Sequence, residues 1–129
     1  MPRMLIVDDE RDICELLKEF FAGKGFSVLS AFSGEEALGK LQENEADIIL
    51  LDILLPGLSG IEVLKRVKEQ HPRVRVIMVS AIDQLDLRSQ AQQYGAAGYV
   101  TKPFDFSPQT WSAAFQPVAP MTPPVLPTP

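Results

Sequence analysis

The stretch 48–60, IILLDILLPGLSG, decides how the chain folds. An apolar run from Ile48 to Leu51 ends in one carboxylate, Asp52, and Pro56, Gly57 and Gly60 then mark a turn. Short apolar runs bounded by turn signals read as strands buried on both faces. Such strands belong to parallel sheets covered by helices above and below. A carboxylate that ends one lies at the sheet's carboxyl edge, where open α/β folds bind their ligands.

Upstream, the same pattern occurs twice more. Met4–Val7 is an apolar run that stops at Asp8, Asp9 and Glu10. The period then changes: Ile13, Leu16, Leu17, Phe20 and Phe21 form a helical stripe, closed by Gly23 and Gly25. Phe26–Ala31 is predicted as the second strand. Ser33 and Glu36 have capping-box spacing ahead of a second helix, whose stripe is Ala37, Leu38 and Leu41. After Asn44, Ala46–Leu51 is the third strand, the opening stretch.

Downstream of Gly60, the third helix turns Ile61, Leu64 and Val67 inward and Lys65, Arg66, Lys68 and Glu69 outward, until Pro72 stops it. Val74–Val79 is the fourth strand and ends at Ser80. The fourth helix has a thin stripe, Leu87, Ala91 and Tyr94, and is expected to be the most mobile. Gly98–Val100 is the fifth strand, followed by Thr101, Lys102 and Pro103. Ser107 and Pro108 suit the start of a short fifth helix. On it, Trp111, Ala114 and Phe115 face the core, unless Trp111 and Phe115 serve a partner's surface. Pro117 ends that helix, and six of the last thirteen residues are proline, so residues 117–129 read as a disordered or polyproline-like tail or linker.

Strand and helix thus alternate five times. The expected class is α/β: a flavodoxin-like (βα)5 doubly wound parallel sheet with strand order 2-1-3-4-5 and a shortened last helix. At 129 residues the chain suits one domain. A formal charge of -5 argues against direct binding to nucleic acid or to an anionic membrane surface. The single cysteine, Cys14, excludes an internal disulfide and reads as a buried filler. With no membrane-length apolar run and no signal peptide before the first strand, the expected location is the cytoplasm.

The predicted topology gathers the chemistry at one edge. Asp8 and Asp9 end the first strand, Asp52 the third and Ser80 the fourth, and Lys102 follows the fifth. Converging carboxylates repel one another and require a counter-cation. Lys102 supplies one charge, and a hard divalent ion taking oxygen ligands, Mg²⁺, could supply more. Beside them Asp52 is a candidate acceptor nucleophile for a phosphoryl group, with Ser80 as a hydroxyl donor to it.

Four motifs carry a family resemblance: IVDDE (6–10), LLDILLPGLSG (50–60), VSA (79–81) and GYVTKPF (98–104). Together, across about Arg3 to Asp105, they make the chain resemble the CheY-like receiver domain of bacterial two-component response regulators, over residues 1–116 as a domain. The resemblance implies that Asp52 is the phosphate-accepting aspartate. It makes Asp8 and Asp9 the acidic pair, with Asp9 ahead of Asp8 as direct Mg²⁺ ligand. Leu54 matches the position whose backbone carbonyl completes the metal shell. Ser80 and Tyr99 match the switch hydroxyl and switch aromatic, Lys102 the lysine that contacts the phosphoryl group, and Pro103 a residue usually preceded by a cis peptide bond. Implied partners are a histidine kinase or phosphotransfer protein as donor, and a downstream effector or output domain. A homodimer through the fourth helix, fifth strand and fifth helix is also implied. The protein would then be a signalling receiver rather than an enzyme. The short, nearly uncharged fifth helix departs from the family pattern.

Two other readings of the same fold are weaker. A flavodoxin-like cofactor binder would want a Gly/Ser/Thr-rich phosphate cradle after the first strand, where this chain has Asp8, Asp9 and Glu10. An aspartyl phosphatase would want Asp-x-Asp there, which is missing.

Overall fold

The computed structural model describes residues 1–115; the expected domain boundary at 116 and the tail 117–129 lie outside the described residues. The order of elements is β1 (Arg3–Val7), α1 (Arg11–Ala22), β2 (Ser27–Ala31), α2 (Gly34–Glu43), β3 (Ile48–Leu51), α3 (Gly60–Gln70), β4 (Arg75–Ser80), α4 (Leu85–Gln93), β5 (Gly98–Thr101) and α5 (Ser112–Phe115). The five strands form one parallel sheet in the order β2-β1-β3-β4-β5. This is the expected doubly wound topology.

Strand order dictates which face each helix covers. The chain steps one way from β1 to β2 and the other way for every later crossover. Crossovers of one hand therefore put α1 on one face and α2, α3 and α4 on the other. The buried side chains follow this division. Leu5, Val7, Ile49, Leu51, Val76 and Met78 pack with Ala37 and Leu41 of α2, with Val63, Leu64 and Val67 of α3, and with Ala91 of α4. Met4, Ile6, Ile48, Leu50, Ile77 and Val79 pack with Cys14, Leu17 and Phe21 of α1 and with Trp111 and Ala114 at α5. Alternate residues of one strand thus serve opposite cores, and this is why the strands read as continuous apolar runs.

Helix starts follow local chemistry. Ser33 Oγ accepts from the amide of Glu36 at 3.1 Å, while Glu36 Oε1 accepts from the amide of Phe32 at 2.8 Å. The expected capping box is therefore present, with its return bond shifted one residue upstream. Ser59 caps α3 through the amide of Glu62 at 3.3 Å. At the end of α1, Gly25 takes the left-handed conformation, φ 96°. Gly34 and Gly60 are required by space. A Cβ on Gly34 would sit 2.5 Å from Val63, and one on Gly60 would sit 2.0 Å from the carbonyl oxygen of Asp52. Gly60 thus lets α3 begin directly against the backbone of Asp52, the residue that follows β3.

Several expectations need correction. Leu16, counted in the α1 stripe, is 46% exposed; the stripe is narrower, and Cys14, Leu17 and Phe21 fill it. Lys68 does not simply face outward. Its stem lies against the protein, and its ammonium donates to the carbonyls of Pro72 and Val74, both at 2.9 Å. Burial there lowers its pKa. The fifth helix does not begin at Ser107. Ser107 caps a turn by accepting from the amide of Thr110 at 3.3 Å, and α-helix runs only from Ser112 to Phe115.

The alternatives left open for Trp111 and Phe115 separate. Trp111 is buried, edge-on to Phe21 and Phe104, and its indole N–H donates to the Asp105 carbonyl at 2.7 Å. It completes the core. Phe115 touches Phe21 at 5.7 Å between ring centroids but stays 41% exposed.

Candidate functional site

Sheet register builds the site. Val7 and Leu51 are partners on adjacent strands, so Asp8 and Asp52 emerge side by side one residue beyond. The amide of Asp52 donates to the Val7 carbonyl at 3.0 Å and that of Asp8 to the Ala31 carbonyl at 3.1 Å, which extends the ladder to the carboxylates themselves. On the other side Ser80 pairs with Thr101, and the amide of Lys102 donates to the Ser80 carbonyl at 2.9 Å. The Lys102–Pro103 peptide is cis.

From there Lys102 reaches back across the edge. Its Nζ donates to Asp8 Oδ2 at 2.7 Å and to Asp52 Oδ2 at 2.9 Å, and lies 3.6 Å from Glu10 Oε1. The remaining oxygens are also held: Asp8 Oδ1 accepts from the amide of Glu10 at 2.9 Å, and Asp52 Oδ1 from the amide of Leu54 at 3.1 Å. Asp8 and Asp52 are buried and Asp9 is exposed, and each of the three offers an oxygen within 4.8 Å of the others.

The electrostatics follow from burial and pairing. Burial raises the Asp8 carboxyl above its usual range; the bonds from Lys102 and the Glu10 amide pull it down only in part, and Asp52 adds repulsion. For Lys102, burial works against the charge, but hydrogen bonds and attraction from Asp8 and Asp52 outweigh it and hold the ammonium well above the usual lysine value. Underneath, the thiol of Cys14 donates to the Asp8 carbonyl at 3.3 Å, and burial first, then the Asp8 charge, push its pKa up to about 11. Cys14 is a buried, unreactive filler, as expected.

The donor set is all oxygen: three carboxylates, with no imidazole or thiolate among them. That is the chemistry a hard divalent ion takes, so the residues present fit Mg²⁺.

Ser80 is fully buried, and its Oγ accepts from the amide of Ile82 at 3.3 Å. Tyr99 is half-buried against the α2–α3–α4 core, and its hydroxyl donates to the Ile82 carbonyl. Burial raises the phenol pKa, which keeps it a donor. Leu54 leaves the sheet edge with its side chain 57% exposed. Asp8, Asp9, Asp52, Leu54, Ser80 and Lys102 therefore lie at the carboxyl edge or in the loops that leave it, whereas Tyr99 lies within β5, opposite Met78.

Sequence reasoning missed Glu35. From the first turn of α2 its Oε1 accepts from the amide of Leu58 at 2.8 Å, beside Gly57, whose φ is 74°. The carboxylate thus clamps the loop that follows Asp52. Its position after an N-cap serine signalled only helix dipole complementarity. Arg88, which lies outside the apolar stripe of α4, makes three contacts at or near Tyr99 that no local pattern signals.

A parallel sheet whose carboxyl edge holds an aspartate cluster bridged by a lysine defines a CheY-like α/β module. The chain belongs to the response regulator receiver domain family, whose model matches residues 4–110. It is 39% identical over 103 residues to sporulation initiation phosphotransferase F of Bacillus subtilis, covering 80% of this chain and 83% of that protein. It is also 39% identical over 102 residues to the alkaline phosphatase synthesis transcriptional regulatory protein PhoP of the same organism, covering 79% of this chain but 42% of that one. Among solved structures, chemotaxis protein CheY4 of Vibrio cholerae superposes with a TM-score of 0.82 at 29% identity, over 92% of this chain and 99% of that one. The chain is thus a receiver domain of the two-component response regulators, a signalling module of phosphorylation-based control. Among the described residues, no helix is long and apolar enough to cross a membrane.

Proposed function

We propose that Asp52 accepts a phosphoryl group from a histidine kinase or a phosphotransfer protein, and that the modified chain then presents an altered α4–β5–α5 face to a downstream effector or output domain. The observation that carries this reading is Lys102 between Asp8 and Asp52, at 2.7 and 2.9 Å, with Asp9 in the same cluster.

The chemistry asks little of the protein beyond position and charge. A carboxylate oxygen of Asp52 attacks the phosphorus, an O–P bond forms and the donor's P–N bond breaks. The bonding pair stays with the donor imidazole, whose other ring nitrogen carries a proton, so that it leaves as neutral imidazole. Lys102, already on Asp52, meets the incoming oxygens with an ammonium that its bonds to Asp8 and Asp52 keep charged against the cost of burial. Asp9, Asp8, Asp52 and the Leu54 carbonyl would hold Mg²⁺, which when bound offsets negative charge on the phosphoryl group. Ser80 turns its hydroxyl from the Ile82 amide to a phosphoryl oxygen. That movement acts on Ile82, whose carbonyl holds Tyr99, and so reaches β5 and α4. A second copy of the chain docking through α4–β5–α5 is one form the downstream contact takes.

Incubation of the full chain with Mg²⁺ and a small acyl phosphate tests this. The expected result is a gain of one phosphoryl mass in the wild type and none in Asp52→Asn. Equal labelling of both, or of neither, removes Asp52 from the role.

A further inference from the structure

Arg88 lies on the first turn of α4, away from the acidic cluster, and joins three separate pieces of the chain. Its Nε donates to Asp83 Oδ1 in the β4–α4 loop at 2.6 Å. Its Nη2 donates to Thr101 Oγ1 at the end of β5 at 2.9 Å. Its Cζ stands 4.7 Å from the centre of the Tyr99 ring. A planar guanidinium does all three at once, with donors on separate nitrogens in a fixed fork and a flat face for the ring; a lysine ammonium has neither the fork nor the face.

The contacts continue inward. Tyr99 donates to the Ile82 carbonyl, and the Ile82 amide donates to Ser80 Oγ at 3.3 Å. Arg88, Tyr99, Ile82 and Ser80 therefore form one connected path from a surface helix to the buried hydroxyl beside Asp52. The rest of α4 is loosely attached. Ala91 is its one buried residue, and its N-cap, Gln84, makes no side-chain capping bond. Arg88 is thus the main polar tie between the start of α4 and β5.

We infer that Arg88 is a positioning residue for Tyr99: it cages the ring in the half-buried place from which the hydroxyl reaches Ile82, and so keeps Ile82 held from the Tyr99 side when Ser80 Oγ leaves the Ile82 amide for a phosphoryl oxygen, which favours the phosphoryl-bound arrangement. The inference rests on the receiver reading above. A residue that favours one of two states raises the affinity of whatever ligand prefers that state.

Beryllofluoride with Mg²⁺, added to the full chain, is the probe. Loss of the cation–π contact and one hydrogen bond in Arg88→Gln is expected to weaken its binding about fivefold. Arg88→Lys, which keeps a cation near the ring, should recover part of that loss. In a Tyr99→Leu background, Arg88→Gln should add no further weakening, because the ring it acts through is gone. Without the probe, the Ile82 amide and Tyr99 ring resonances should already shift in Arg88→Gln. Wild-type affinity in Arg88→Gln, or an equal loss with and without Tyr99, overturns the inference. If the wild type itself binds no beryllofluoride, the receiver reading fails instead, and the Ile82 and Tyr99 shifts still decide whether Arg88 positions the ring.

Discussion

The third and fourth helices cover the same face of the same sheet, yet they are built differently. α3 buries Gly60, Ile61, Val63, Leu64 and Val67, and its first residue touches the backbone of Asp52. α4 buries Ala91 alone, with Leu85 77% exposed at its start. One helix is fixed to the strand that ends in Asp52; the other leans on the strand that carries Tyr99. On the proposed function, the Asp52 edge must hold three carboxylates and a lysine in one geometry, and the Tyr99 edge must rearrange at little cost when the Ser80 hydroxyl turns. Dense packing under the first and sparse packing under the second suit that division.

The largest test removes the cation from the fixed part. Lys102 is nearly buried, as are the Asp8 and Asp52 side chains it bridges. Lys102→Met leaves two carboxylates facing each other in a low-dielectric place. The expected loss is about 3 kcal/mol at neutral pH, read from the urea midpoint. The pH dependence has a definite sign. A carboxyl whose folded pKa lies above its unfolded value contributes stability at low pH that is lost as pH rises through the folded value. Burial already sets Asp8 that way, and removing Lys102 strengthens the effect. The gap between variant and wild type should therefore shrink on acidification. A gap that stays constant with pH would mean that Lys102 acts by packing rather than charge. Added Mg²⁺ should recover more stability in the variant than in the wild type.

The next test compares the two helices directly. Amides of α4 from Arg88 to Gln93 are expected to exchange with solvent at least about tenfold faster than those of α3 from Leu64 to Gln70. Equal protection would mean that Arg88 and Ala91 hold α4 as firmly as five buried residues hold α3, and the division drawn above would fail.

The sheet and its order were legible because burial on both faces writes itself into the chain: Met4–Val7 and Ile48–Leu51 have no polar interruptions to misread. The gathering of polar residues at one edge was legible too, since strand order alone brings residues 8, 9, 52, 80 and 102 together there. What was not legible is set by how far a side chain reaches across the fold. Leu16 lies at a stripe position, but α1 meets the sheet through a narrower face. Lys68 looked solvated because its acceptors, the carbonyls of Pro72 and Val74, are backbone groups that composition does not announce. Glu35 and Arg88 bond to partners 23 and 13 residues away, which helical periodicity cannot indicate. Trp111 could have faced either way, and only the packing of Phe21 and Phe104 against it decided for the core.

The smallest expected effect lies at the start of α2, which belongs to the fixed part through Glu35 and Gly34. Glu36, the neighbour of the loop clamp, accepts from the Phe32 amide and lies 3.3 Å from Lys40. The Phe32 bond, ahead of Lys40, holds its carboxyl below the usual range. Glu36→Ala should cost about 1 kcal/mol, as the loss of a helix cap does. Glu36→Gln keeps an acceptor oxygen and should cost less. For a group with a depressed pKa, the stability it contributes is present above the unfolded value and is lost as pH falls through the folded one. The wild type and Glu36→Gln should therefore converge in acid and separate as pH rises past the ordinary glutamate range. Because Glu36 ties α2 to β2 and not to the acceptor loop, phosphorylation by an acyl phosphate should be unchanged in Glu36→Gln, whereas Glu35→Ala, which frees the Leu58 amide, should slow it. If both variants slowed the reaction alike, the clamp would belong to the helix start as a whole rather than to the one carboxylate that touches the loop.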